Sequence, residues 1–226
     1  MERVLPNLFL ESEVKYILEF VKHNFSQIEN TEFNTKLNDS KFDLFWDVIY
    51  DKIKDDLPSK TFTIKGGFFN ETNSPYKIHS DGARTSDEDM LCTVLLPLEM
   101  MFEDVRRYDH NKNRLFIFDQ TSDFATIFRL NCEHATKAPY YRLATSLDDY
   151  RSMINGLNDK SFNDQQVLSL CNHLSPNEFF GLSVKMEIPW DIGSCIIFHP
   201  HNLHVSSNFP KLGVKSKTNL VYSLKK

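Results

Sequence analysis

Two stretches near the start of the chain carry apolar residues at helical spacing. In ESEVKYILEFVKHNF, Val14, Ile17, Leu18 and Val21 recur every three or four positions behind an acidic start, which predicts an amphipathic helix. DSKFDLFWDVIYDKIKDDL repeats the pattern with Phe42, Phe45, Trp46, Ile49 and Ile53, and Pro58 closes it. Residues 1–60 therefore predict helices lying against the outside of a sheet. From Thr61 the period drops to two. TFTIKGGFF alternates Phe62 and Ile64 with Thr61, Thr63 and Lys65, until Gly66-Gly67 breaks it. YKIH reads as a short strand. MLCTVLLPLEM is a near-continuous apolar run, the mark of a strand buried on both faces. RLFIFDQ, GLSVKMEI, SCIIFH and KTNLVYSL add further strands, with Gly, Pro, Asn and Asp between them.

Many short strands with turn residues between them predict a sandwich or barrel built from residues 61–119 and 178–226. The strand signal fades between Gln120 and Asn177. There SLDDYRSMINGL and NDQQVLSLCNHL predict helices, with Ser146 and Asn163 as N-caps. The segment 120–177 reads as a long insertion: either a lid or substrate wall, or a decorating subdomain over a sheet edge. The expectation is one domain, 1–226, mainly β with flanking helices.

Composition adds little to this except exclusions. The net charge of −5 and the lack of a basic stripe argue against nucleic acid as the main partner. MERVLPNLFLESEV has neither the apolar core nor the cleavage site of a signal peptide. No apolar run approaches a membrane span, so a cytoplasmic protein with no membrane partner is expected. Cys92, Cys132, Cys171 and Cys195 are scattered without a C-x-x-C, which predicts buried free thiols. Oligomeric state leaves no mark on the sequence.

Candidate chemistry gathers in two places. In YKIHSDG, a strand running through His79 and Asp81 would point both side chains to one face, where an imidazole and a carboxylate can converge on a metal. Gly82 then permits a sharp turn. Alone, H-x-D is too common to carry a conclusion. Near the C-terminus, CIIFHPHNLHVSS holds His199, His201 and His204, which leaves open a zinc reading of the three histidines. On the last strand Lys217, Asn219, Val221 and Ser223 share one face, and a lysine at the polar end of a buried strand needs an anionic partner. Lys215 is its competitor and Lys211 reads as solvated. Trp190 and Phe198 read as core, and His23, His110, His134 and His173 as incidental.

Taken in order, His79-Ser80-Asp81, His204 and Lys217 resemble the motif of the iron(II)- and 2-oxoglutarate-dependent dioxygenases, of the phytanoyl-hydroxylase-like and prolyl-hydroxylase-like type. Tyr76 before the H-x-D, the G-S-x-I-I-F strand at Gly193–Phe198 and L-H-x-S at Leu203–Ser206 are also similar. The resemblance spans Thr61 to the C-terminus apart from the insertion. It implies a double-stranded β-helix, or jelly roll, with the N-terminal helices packed on one sheet. It implies iron(II) held by His79, Asp81 and His204, with 2-oxoglutarate as cosubstrate and O2 as oxidant, and His199 as the competing third ligand. Lys217 would anchor the distal carboxylate of 2-oxoglutarate, and Asn219, Tyr76 and Thr93 would reach the cosubstrate. Lysine there in place of the commoner arginine gives a point charge instead of a bidentate fork. Asp81 stands where related halogenases carry Ala or Gly, so hydroxylation with release of succinate and CO2 is implied. The substrate would be a small molecule or a modified biopolymer, chosen by loops near Arg84 and Arg106-Arg107. A non-catalytic, cupin-like binding module on the same barrel is the alternative.

Overall fold

The computed structural model describes residues 2–24, 35–36, 43–79, 81, 90–120, 162–179, 182–200 and 202–226. Strands dominate, and all their pairings are antiparallel. They are β1 (Arg3–Leu5), β2 (Thr35–Lys36), β3 (Thr63–Thr72), β4 (Met90–Phe102), β5 (Arg114–Gln120), β6 (Leu182–Pro189), β7 (Cys195–Phe198), β8 (Leu203–Ser206) and β9 (Val214–Lys225). One sheet has the order β1-β7-β4-β9-β3-β2 and the other β6-β5-β8. A lone antiparallel bridge from His79 to His204 sets the segment before Asp81 beside β8.

The helices α1 (Glu11–Asn24) and α2 (Asp43–Ile53) cover one face of the six-stranded sheet. Val14, Ile17, Trp46, Ile49 and Ile53 are buried there against Val94, Leu96, Ile197, Leu220 and Leu224, as the helical spacing predicts. Trp46 meets the ring of Tyr222 at 4.9 Å between centroids. Phe42 and the side chains of Val21 and Phe45 lie outside the described residues. The start of α1 is tied to the end of α2: the Glu13 carboxylate accepts from the Leu10 N–H at 2.7 Å and from Lys52 Nζ at 2.8 Å.

The other face of this sheet meets the three-stranded sheet. Leu95, Ile196, Phe198 and Val221 from the first interleave with Leu115, Ile117, Ile188 and Trp190 from the second. Strand alternation sends Phe116, Phe118, Leu203 and Val205 the opposite way, into a separate cluster with Ile78, Phe162, Val167, Cys171, Leu174 and Phe179. The short helix α3 (Gln165–Leu170) belongs to that cluster. The described end of the insertion thus packs on the outer face of the smaller sheet. Residues 121–161 lie outside the described residues.

Three local readings change. Gly66-Gly67 does not end β3; the register slips between Ile64 and Gly66, and pairing with β9 resumes. A glycine is the least costly residue at which to seat such a bulge. YKIH is not a strand, since only His79 makes a bridge. The cap of α3 is Asp164, whose carboxylate accepts from the Val167 N–H at 3.0 Å, one position after Asn163. Ser146 lies outside the described residues. Pro97, inside the central strand β4, sits at a register slip to β9 and beyond the stretch Thr93–Leu95 that pairs with β7. Its missing N–H is tolerated there.

Candidate metal centre and a buried lysine

The four-residue β8 alternates strictly. Leu203 and Val205 face outward, and His204 and Ser206 face the space between the sheets. The main chains of His79 and His204 exchange both hydrogen bonds, at 3.2 and 2.9 Å, so the sheet itself fixes the distance between the two imidazoles. Their rings lie 4.2 Å apart. Each Nδ1 points at a main-chain carbonyl: His79 at Lys77 at 2.8 Å, His204 at Asn202 at 3.0 Å. A carbonyl only accepts, so both Nδ1 atoms carry a proton, and in the neutral imidazole that leaves Nε2 as the ring's lone-pair donor.

Those lone pairs meet Asp81. Its Oδ1 lies 4.0 Å from His79 Nε2 and 3.7 Å from His204 Nε2. One donor atom from each of the three residues falls within 4.8 Å of the others. Two imidazoles and one carboxylate are the donor types of a facial triad, and the three could hold a metal ion. The convergence does not arise from the strand that alternation predicts. Among the described residues no strand runs through His79 and Asp81: His79 makes a lone bridge to His204, and Asp81 is not part of a strand. His199, half-buried, is not in the triad, and His201 lies outside the described residues. His110 pairs with Asp191 at 3.5 Å.

Lys217 is 1% exposed. It enters the inter-sheet space from β9, where Nζ donates to Ser206 Oγ at 3.1 Å. Nζ also lies over the ring of Trp190, 4.4 Å from its centroid, and 4.7 Å from that of Phe209. Among the described residues no carboxylate lies within ion-pair distance of it. Burial pushes its ammonium well below the usual lysine range, offset only in part by the Cys171 thiol. Lys215 is exposed, at the register slip between Val214 and Ser216. Ser206 and His204 share a face two positions apart, about 7 Å along the strand, a span that a five-carbon dicarboxylate bridges.

Asn219, on the same face as Lys217, is paired in register with Asn70 of β3, and its Oδ1 is buried without a partner. Tyr76 Oη reaches Asn70 Oδ1 at 3.5 Å and stacks edge-on against His79. Thr93 is different. Its hydroxyl is buried and unpartnered, yet it pairs in register with Ser223, six positions along β9 from Lys217. That is about 20 Å, too far to share one small anion with Lys217. Arg106 is exposed and bound to Asp104, Arg107 donates to the Lys211 carbonyl, and Arg84 lies outside the described residues. Sequence pattern gives no role to Ser206 or Phe209 and makes Trp190 core alone. The L-H-x-S spacing contains the signal for Ser206, since two positions on a strand share a face.

Cys92, Cys171 and Cys195 are buried free thiols, each pushed up to about 12 by burial, and so chemically inert; Cys132 lies outside the described residues. No described helix is long and apolar enough to cross a membrane.

No protein-family model matches the chain, and no curated protein matches it in sequence. Solved structures do. HygX from Streptomyces hygroscopicus, with nickel and 2-oxoglutarate bound, superposes with a TM-score of 0.51 at 11% identity, covering 99% of this chain and 82% of HygX. The iron-bound form of HygX gives 0.50 at 10% identity, with 99% and 81% covered. SnoN, a non-heme alpha ketoglutarate dependent epimerase from nogalamycin biosynthesis, gives 0.50 at 11% identity, with 98% and 77% covered. At such identities the likeness is one of architecture: this chain has the fold that HygX and SnoN share.

Proposed function

We propose that this protein is a non-haem iron(II)- and 2-oxoglutarate-dependent dioxygenase on a double-stranded β-helix. The strand order supports the jelly-roll reading, because β3, β9, β4 and β7 face a second layer of the His79 segment, β8, β5 and β6. One observation carries the functional reading. A His79-Asp81-His204 donor set and a buried lysine, with no carboxylate beside it among the described residues, share the space between the sheets.

When bound, iron(II) and 2-oxoglutarate supply dioxygen activation, with 2-oxoglutarate losing CO2 to leave succinate and one oxygen atom going to a substrate C–H. The chain's part is to bind, orient and keep dry. His79 and His204 offer Nε2 because Lys77 and Asn202 hold the opposite nitrogens. Lys217 carries its proton on Nζ once a terminal carboxylate supplies the missing counter-charge. Ser206 fixes that ammonium while the rings of Trp190 and Phe209 exclude water from it. Phe198, packed 5.0 Å from the ring of His204, closes the flank of the triad. Asn219 and Tyr76 border the same channel. We read the outcome as hydroxylation of a small molecule or a modified biopolymer; SnoN, named an epimerase, shows that the architecture also hosts other outcomes.

Anaerobic addition of iron(II) and then 2-oxoglutarate should produce a visible charge-transfer band, and air should then yield succinate. The band should vanish in Asp81→Ala. Native protein without a band, or a full band in that variant, would refute the proposal.

A further inference from the structure

The ring of His204 depends on the Asn202 carbonyl, and Asn202 does not hold itself. Its N–H closes a tight turn onto the His199 carbonyl at 2.9 Å. Its side-chain Nδ2 donates across the molecule to Oε1 of Glu2, at 2.5 Å. Glu2 immediately precedes β1, which is anchored to the edge of the larger sheet through Arg3 opposite Ile197. The same Glu2 oxygen accepts from Lys185 Nζ at 3.0 Å, and Lys185 reaches Asp119 at 3.1 Å. Lys185 stands on β6 and Asp119 on β5. One carboxylate therefore joins the edge of one sheet, the face of the other and the turn that carries His204. Burial raises the Glu2 carboxyl, but hydrogen bonds from Lys185 and Asn202 outweigh it and leave the group below its ordinary value.

We infer that Glu2 is a positioning residue for the metal centre: its grip on Asn202 holds the carbonyl that fixes the His204 tautomer and ring. The inference rests on the triad reading above. Glu2 touches neither metal nor substrate, so its effect passes through Asn202. Outer partners of metal-binding histidines typically govern affinity by about 10–100-fold.

The test uses the whole 226-residue chain without an N-terminal tag, and two readouts. Nitrogen-15 NMR of metal-free protein reports the His204 tautomer, and cobalt(II) titration reports affinity. Glu2→Ala should mix the tautomers of His204 and weaken cobalt(II) by about tenfold or more. Glu2→Gln, which still accepts from Asn202, should recover most of both. Asn202→Ala keeps its carbonyl but loses the grip, so it should match Glu2→Ala, and the double variant should add nothing. Arg3→Ala removes the neighbouring ion pair to Asp56 and should change neither readout. An unchanged tautomer in both Glu2→Ala and Asn202→Ala would overturn the inference. So would an Arg3→Ala effect equal to that of Glu2→Ala, or a Gln variant no better than Ala. If native protein binds no cobalt(II), the proposed function fails, and the tautomer measurement still decides the role of Glu2.

Discussion

Lys217 is buried with no carboxylate partner among the described residues, a costly place for an ammonium. Burying an ammonium without a counter-ion costs stability, and even a buried ion pair replaced by well-packed apolar residues is often neutral or gains about 1–4 kcal/mol. Lys217→Met should therefore raise the melting temperature of the ligand-free protein while abolishing 2-oxoglutarate binding. The sign with pH comes from the lowered value in the folded state. The unfolded chain protonates first as pH falls below about 10.4, the ordinary lysine value. The penalty is absent above that pH, grows as pH falls, and is complete below the folded-state value. The advantage of Lys217→Met should shrink as melting is followed from pH 7 to pH 10. A constant advantage would mean that the lysine is not the source. At this scale the site was partly legible. His79, Asp81, His204 and Lys217 stood out through their resemblance to a family motif, and the structure brings the first three together. Ser206, Trp190 and Phe209 did not, because a serine and two aromatics mark nothing until the fold wraps them around an ammonium. Thr93 was misplaced because alternation gives a face and not a height along the strand.

Elements place those residues, and turns place the elements. Gly213, at φ 76°, ends the turn Phe209–Leu212 and opens β9; a Cβ there would lie 2.2 Å from the Asp104 carbonyl oxygen. Gly193, at φ 80°, is bound on both sides: its carbonyl accepts from the Phe9 N–H and its N–H donates to the Pro97 carbonyl. Gly213→Ala should cost about 1–3 kcal/mol from the left-handed backbone alone. Displacement of β9 should weaken 2-oxoglutarate more than it weakens metal, which competition binding would show. Loss of Asp164 should be milder, about 1 kcal/mol for an N-cap in Asp164→Ala, with the metal site untouched. Long elements were easy to read: α1, α2, β4, β5 and β6 carry enough periods to show themselves. The misreadings are short or irregular. β8 offers four residues with a histidine among them, because its inner face lines a site instead of a core. The two glycines of β3 signal a break where the sheet makes a bulge. YKIH has strand composition but contributes one bridge, at His79.

The molecule as a whole is two sheets whose facing sides serve different ends. They meet through apolar residues such as Leu95, Leu115, Ile117 and Val221, with polar side chains, among them Thr93, Asn219 and Lys217, interspersed on the same faces. Such a design should be stabilised by what it binds. Metal and 2-oxoglutarate, each at a hundredfold over its dissociation constant, should add about 2.7 kcal/mol apiece. Thermal melts with manganese(II), with and without 2-oxoglutarate, check this. Lys217→Met should respond to the metal and not to the dicarboxylate, and a chelator should reverse the metal's contribution. The two-layer class was readable from alternation and turn residues in sequence. The layer pairing was not, because which strands become neighbours depends on contacts between residues far apart in the chain.

The main-chain bridge between His79 and His204 has a bearing on biosynthesis. A nascent polypeptide emerging from the ribosome displays the first imidazole and its carboxylate long before the second imidazole exists, so only two of three donors are on offer. On the proposed function, a three-donor metal site can form only once β8 has been synthesised. On that same reading, chains ended before His204 would lack the third donor and should bind metal less tightly.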